Sequence, residues 1–195
     1  MLYKLLIRLY IKNSMHYLEA IVELKNIVNQ NLINKLIPLI NKKAQNDLNI
    51  VSGHNKNVRN VKGFEFLHKT PTDIFYWNLI KQEIQRLFIY YKSKFPQIEC
   101  NTINQINVLK YSKGCKFETH TDNYSNFSRH LSVIINLNDE YKGGDLVFTD
   151  QKKKEVKRLK LSKGTIVFFP SNFMYPHKIE PITKGIRYSI VAWIQ

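Results

Sequence analysis

From residue 103 onward the chain reads as eight short runs of β-branched and aromatic residues separated by turn-forming clusters. This rhythm constrains the fold more than any other feature. The runs cover residues 103–111, 116–120, 130–137, 145–148, 155–158, 165–169, 175–179 and 186–194. Between them lie Ser112-Lys113-Gly114, Asn138-Asp139-Glu140, Gly143-Gly144, Ser162-Lys163-Gly164, Pro170-Ser171-Asn172 and Thr183-Lys184-Gly185, each a turn by composition. Eight short strands with such turns predict a sandwich or jelly roll.

The first half reads as a helical support. From Asn29 the spacing of Leu32, Ile33, Leu36, Ile37 and Ile40 predicts an amphipathic helix that Pro38 kinks or shortens. A second helix starts at the capping signal Pro71-Thr72-Asp73. It carries an apolar face through Ile74, Trp77, Ile80, Ile84, Leu87, Phe88 and Tyr91 and stops before Pro96. Residues 46–62 are polar and predict loop, whereas 18–24 fit a strand or a helix equally well. No linker or internal repeat separates the halves, so residues 1–100 are expected to support a core at 101–195 within one domain of α+β class.

Composition fits a globular chain of 195 residues with 44% hydrophobic and 12% aromatic residues. Its cysteines, Cys100 and Cys115, lack zinc or redox-pair spacing, which points to a reducing compartment. The apolar start is interrupted by Lys4, Arg8 and Lys12, so neither a signal peptide nor a membrane span is expected, and the location implied is cytoplasmic. Met15 could serve as the native start as well as Met1. The net charge of +15 suits a polyanionic partner, nucleic acid included. It equally suits drift in a Lys-, Asn- and Ile-rich sequence, and the run at Lys152-Lys153-Lys154 reads as a solvated hairpin.

Against this frame, His120-Thr121-Asp122 acquires chemical meaning. On a strand, residues i and i+2 project from one face, so an imidazole and a carboxylate stand side by side. With one distant histidine they form a two-histidine, one-carboxylate triad of the kind that holds Fe(II) with open positions. By itself His-x-Asp is a weak motif. His177 alone would read as a surface histidine after Pro176.

The run from Asn107 through Tyr111, Gly114 and Phe117 to His120-Thr121-Asp122 resembles the prolyl 4-hydroxylase branch of the Fe(II)- and 2-oxoglutarate-dependent oxygenases. The likeness continues in Ile135 to Asn138, Gly143 to Phe148, Gly164 to Ser171, His177, and Arg187 to Trp193. It implies a double-stranded β-helix (a jelly roll) with supporting helices, and a dioxygenase using Fe(II), 2-oxoglutarate and O₂, with ascorbate as a possible reductant. His120, Asp122 and His177 would hold iron, and Arg187 would grip the distal carboxylate of 2-oxoglutarate bidentately. Ser189 and Trp193 share the strand face of Arg187, so Ser189 would add a hydrogen bond and Trp193 a wall. Tyr111 would reach the cosubstrate through its hydroxyl; a core tyrosine is the alternative. Asn136 stands where some relatives carry a tyrosine that helps hold the cosubstrate, so distal contacts differ at this point. Arg187 replaces the lysine of collagen-type members. Thr119 and Thr121 face away and receive no role.

By resemblance the substrate is a prolyl or other residue of a protein or peptide, contacted by loops around Arg59 and residues 123–129. The charge of +15 keeps nucleic-acid demethylation as an alternative, and a non-catalytic jelly-roll binding module is a third reading. No motif speaks to oligomeric state.

Overall fold

A computed structural model describes residues 17–47, 58–123 and 128–195. The choice between Met1 and Met15 as the start falls outside them. The described chain contains a 3-10 turn (Tyr17–Ala20), strand β1 (Val22–Leu24), helix α1 (Gln30–Lys43), β2 (Lys62–Glu65) and helix α2 (Pro71–Lys94). There follow β3 (Ile103–Tyr111), β4 (Phe117–His120), β5 (Leu131–Asn136), β6 (Tyr141–Gly143), β7 (Leu146–Thr149), β8 (Glu155–Leu159), β9 (Ile166–Pro170), β10 (His177–Ile179), β11 (Ile182–Gly185) and β12 (Arg187–Ile194).

The eight expected runs are β3, β4, β5, β7, β8, β9, β10 and β12, and they form the two sheets of a jelly roll. The major sheet is ordered β1-β9-β5-β12-β3-β2 and the minor sheet β4-β10-β7-β8. Every pairing is antiparallel. Alternation along the major sheet divides its residues between two cores. Ile106, Val108, Leu131, Val133, Ile135, Ile166, Phe168, Tyr188, Ile190, Ala192 and Ile194 face a cluster that includes both helices. Leu109, Tyr111, Ile134, Val167 and Phe169 face the minor sheet and pack with Leu146, Phe148 and Ile179. Because both faces of β5 are covered, all six of its residues are buried.

Helix α1 lays Leu32, Ile33, Leu36 and Ile40 on the sheet, and α2 adds Trp77, Ile80, Ile84, Leu87, Phe88 and Tyr91. Burying an isoleucine such as Ile84 stabilises the fold by about 1.5–3 kcal/mol, and Ile84→Ala would cost about 2–5 kcal/mol once the cavity is counted. Thr70, one residue before the expected signal, caps α2 by accepting from the Asp73 N–H at 3.1 Å, and Pro71 occupies the first turn. No described helix is long and apolar enough to cross a membrane.

Several local expectations need correction. Helix α1 continues through Pro38. Pro38 and Asn34, whose carbonyl loses its helical donor, are both exposed to solvent, while buried residues on either side pack the helix on the sheet, so Pro38 does not shorten it. Ile74 is 43% exposed and lies off the buried face. Gly143 and Thr183-Lys184-Gly185 are not turns but part of a two-stranded ribbon, β6 with β11. That ribbon is largely exposed and polar, so no hydrophobic alternation betrays it. Strand β2, paired to β3, was also unforeseen. Residues 18–24 split into the 3-10 turn and β1, with Tyr91 Oη donating to the Ala20 carbonyl at 3.1 Å and Lys157 Nζ to the Leu18 and Ile21 carbonyls at 3.3 and 3.2 Å.

Candidate active site

The sheets part at one end around a cavity of about 330 Å³. Its major-sheet wall is Gln105, Asn107, Leu109 and Tyr111 of β3 with Arg187, Ser189, Val191 and Trp193 of β12. These are alternate residues on paired strands, with Tyr111 opposite Arg187, Leu109 opposite Ser189, Asn107 opposite Val191 and Gln105 opposite Trp193. Phe117 and His120 of β4, His177 and Ile179 of β10, and Asp122, Arg129 and Arg59 complete the lining.

His120 ends β4 and is paired in register with His177 on β10; Asp122 follows β4 in a bend. The three offer one ligand atom each, all within 4.8 Å of one another. Asp122 Oδ1 is 3.4 Å from His120 Nε2 and Oδ2 is 3.7 Å from His177 Nε2. Each histidine uses Nδ1 on the backbone carbonyl two residues earlier: His120 on Glu118 at 2.8 Å and His177 on Tyr175 at 3.1 Å. A carbonyl only accepts, so Nδ1 carries the proton and each Nε2 turns a lone pair toward Asp122. Burial, reinforced by the neighbouring charge of His120, lowers the His177 pKa to about 4, so this ring is neutral at neutral pH. Burial alone would raise the Asp122 pKa, but His177, His120 and a hydrogen bond from Ser132 outweigh it and hold the carboxyl well below the usual range. A neutral His177 and an ionised Asp122 are the protonation states that an Fe(II) site requires of these two ligands.

Asp122 is tied from behind. Ser132 Oγ donates to its Oδ2 at 2.7 Å and lies 2.8 Å from Ser171 Oγ, with both serines buried. Arg129 donates from Nη1 to the Asp122 carbonyl at 3.1 Å and from Nη2 to Gln105 Oε1 at 2.6 Å, and its guanidinium lies 3.6 Å from the centre of the Trp193 ring. Phe117 stacks on His120 at 3.6 Å, and Arg59 lies over Phe117 at 4.7 Å. Of the loops expected to meet substrate, Arg59 and Arg129 therefore border the cavity; residues 124–127 lie outside the described chain. The sequence reading missed Ser132, Ser171 and Gln105. A lone serine within the apolar run Leu131 to Ile135 was the available signal for Ser132.

At the deep end Arg187 is only 1% exposed. Its Nε donates to Asn136 Oδ1 at 3.1 Å, while Nη2 has no hydrogen-bond partner among the described residues. Ser189 Oγ, Trp193 Nε1 and Asn107 Oδ1 are likewise buried without one. Leaving each such group unmatched costs about 1–3 kcal/mol, so their convergence on one cavity marks a place for a polar ligand. The buried guanidinium beside a hydroxyl fits a carboxylate. Tyr111 is 1% exposed, with the guanidinium 5.3 Å from its ring centre. Asn136 is also fully buried but does not line the cavity, because its amide is occupied by protein groups.

The profile of the 2OG-Fe(II) oxygenase superfamily matches residues 106–195, the segment that supplies the triad, Arg187 and Ser189. A "PKHD-type hydroxylase" of a Synechococcus strain is 26% identical over 125 residues, covering 60% of this chain and 52% of that protein. The chain thus spans about half the length of the first curated relatives it matches. A Pseudomonas putida prolyl-4-hydroxylase superposes with a TM-score of 0.70 at 15% identity, covering 90% of this chain and 92% of the other. A Trichoplax adhaerens prolyl hydroxylase, solved in complex with a hypoxia inducible factor oxygen degradation domain peptide fragment, gives 0.71 at 16% identity with 98% and 92% coverage. Profile and fold agree: residues 106–195 match the 2OG-Fe(II) oxygenase superfamily, and the described chain has the prolyl 4-hydroxylase-like fold.

Proposed function

We propose that this protein is an Fe(II)- and 2-oxoglutarate-dependent dioxygenase that hydroxylates a C–H bond in a prolyl or other residue of a protein or peptide. The observation that carries the reading is the shared cavity: a His-Asp-His donor set at one end and the unmatched Arg187 Nη2 and Ser189 Oγ at the other. His120, Asp122 and His177 would hold the metal, and Arg187 with Ser189 would bind the distal carboxylate of 2-oxoglutarate. Iron with 2-oxoglutarate and O₂ supplies the oxidising power, and the cosubstrate leaves as succinate and CO₂. Leu109, Ile134 and Val191 line the middle of the cavity and exclude water between the two polar ends. Trp193 and Arg129 wall the outer part.

A peptide substrate is favoured by the fold shared with a hydroxylase solved with a peptide bound. The charge of +15 is the observation that favours the second reading, demethylation of nucleic acid. The test is succinate release with Fe(II) and ascorbate, comparing proline-containing peptides with methylated oligonucleotides. Peptide-stimulated release is expected. Salt-sensitive binding to unmodified nucleic acid would not decide the matter, because any strongly basic domain shows it. A protein that neither binds iron nor decarboxylates 2-oxoglutarate without substrate would be a binding module, and the oxygenase reading would fall.

A further inference from the structure

We propose that Asn136 is a positioning residue: it aims the Arg187 guanidinium at the distal carboxylate of 2-oxoglutarate and does not itself touch the cosubstrate. This rests on the oxygenase reading above. A primary amide has two N–H donors and an oxygen that accepts twice. In Asn136 every one faces a protein group. Nδ2 donates to the Asn138 carbonyl at 2.5 Å and the Leu161 carbonyl at 3.1 Å. Oδ1 accepts from Arg187 Nε at 3.1 Å and lies 3.2 Å from Tyr141 Oη, a hydroxyl that also reaches the Leu161 carbonyl at 3.3 Å. The orientation is forced, since a flipped amide would set its oxygen against two carbonyl oxygens and its nitrogen against the Arg187 donor.

Tying Nε fixes the plane of the guanidinium about its last rotatable bond, and Nη2 is the donor left unmatched in the buried cavity wall. Ser189, whose hydroxyl is also unmatched, sits directly opposite Asn136 in the β5–β12 pairing. The backbone beside Arg187 is clamped by Asn138, which accepts from the Tyr188 N–H at 2.9 Å and donates to the Ile186 carbonyl at 2.8 Å. The arginine stem is packed as well: a Cβ on Gly144 would lie 3.2 Å from Arg187 Cδ. The geometry therefore offers the cosubstrate a guanidinium already oriented, with less side-chain entropy to lose on binding.

The test is calorimetric titration of 2-oxoglutarate into the Mn(II)-loaded protein, with Mn(II) affinity measured in parallel. Asn136→Leu should weaken 2-oxoglutarate binding by about tenfold or more, as expected for a misaligned charge-assisted hydrogen bond, and leave Mn(II) affinity within about twofold. Asn136→Asp should weaken it further, because the new carboxylate competes for Arg187. In an Arg187→Met background the Asn136→Leu effect should vanish, which a purely structural role would not produce. Wild-type affinity in a folded Asn136→Leu protein, or equal loss of metal and cosubstrate binding, overturns the placement of Asn136. Should Asn136→Leu fail to fold, Tyr141→Phe decides: it frees the amide oxygen on one side, so weaker 2-oxoglutarate binding at unchanged Mn(II) affinity supports the proposal and unchanged binding overturns it. Failure of the wild-type protein to bind 2-oxoglutarate overturns the oxygenase reading and this proposal together.

Discussion

Removing the hydroxyl behind Asp122 tests whether the triad is oriented or merely charged. Ser132→Ala deletes a 2.7 Å hydrogen bond to Asp122 Oδ2 and leaves Ser171 Oγ without its 2.8 Å neighbour. A hydrogen bond to a charged group contributes about 1.5–3 kcal/mol. Two effects on metal affinity oppose one another. Without the donor, the carboxylate carries more of its charge to the metal, which tightens binding. Without the tether, Oδ1 and Oδ2 no longer hold the placement that sets them 3.4 and 3.7 Å from the two Nε2 atoms, which weakens it. Orientation should win, because Asp122 is 6% and Ser132 0% exposed and bulk solvent has little access to replace the lost donor. Loss of such an outer partner typically costs about 10- to 100-fold in affinity. The assay is Co(II) titration followed by visible absorption, with thermal unfolding of the metal-free protein alongside. A dissociation constant raised about tenfold, with a lowered melting temperature, is expected on that scale. Unchanged or tighter Co(II) binding in a folded protein would refute the reasoning.

Arg187→Met should raise the 2-oxoglutarate dissociation constant by about 100-fold with little change in metal affinity, as judged by the same calorimetry; unchanged cosubstrate affinity would remove Arg187 from its role. Gly144→Ala places a Cβ at φ +70° against Ile182 Cδ1 and close to Arg187 Cδ. It should cost about 1–3 kcal/mol in urea unfolding and weaken 2-oxoglutarate binding. Asp73 is buried, and its hydrogen bond from Lys43 lowers its pKa despite burial. Because the folded pKa is depressed, this stabilisation is present above the unfolded value of about 3.9 and disappears as pH falls through the folded pKa. Urea midpoints of wild type and Asp73→Asn should therefore differ at pH 7 and converge under acid; a pH-independent gap would contradict the assignment.

What could be read in advance divides along a physical line. His120 could be grouped with Asp122, and Ser189 and Trp193 with Arg187, because a strand's period fixes which residues share a face, whereas His177 and Arg187 were reached through the family resemblance. The supporting layer was not legible. Ser132 and Ser171, 39 residues apart, meet only because β5 and β9 are adjacent. Arg129 meets Gln105 and Trp193 only because a loop folds over the β3–β12 ladder. Asn136 stands near the position expected of a cosubstrate contact, yet its partners, Tyr141 and the Leu161 carbonyl, come from a ribbon and a loop with no periodic signature. Pro38 does not shorten the helix for a related reason: propensity is local, whereas the helix is held by its packed face.

The β3–β12 ladder also shows why the site and the fold cannot be varied independently. Arg187, Ser189, Val191 and Trp193 face the cavity, and Tyr188, Ile190, Ala192 and Ile194 face the helices. A slip of β12 by one residue would turn the guanidinium into the layer holding Ile84 and Phe88 and bring Tyr188 and Ile190 into the cavity. An unpaired charge in an apolar layer is worth several kcal/mol of penalty, on the order of 3–5 kcal/mol where a buried pair has been broken. Arg187 thus opposes the wrong register by the same charge that suits it to a carboxylate. Its partner Asn136 opposes it too, because the amide on β5 would lose Nε and keep a buried oxygen short of a donor. The consequence is that Arg187→Met should lose more than cosubstrate affinity: the energetic gap between registers narrows, and amide hydrogen exchange along β12 should quicken although an apolar side chain has replaced a buried charge. Slower exchange in that variant would show that Arg187 serves binding alone.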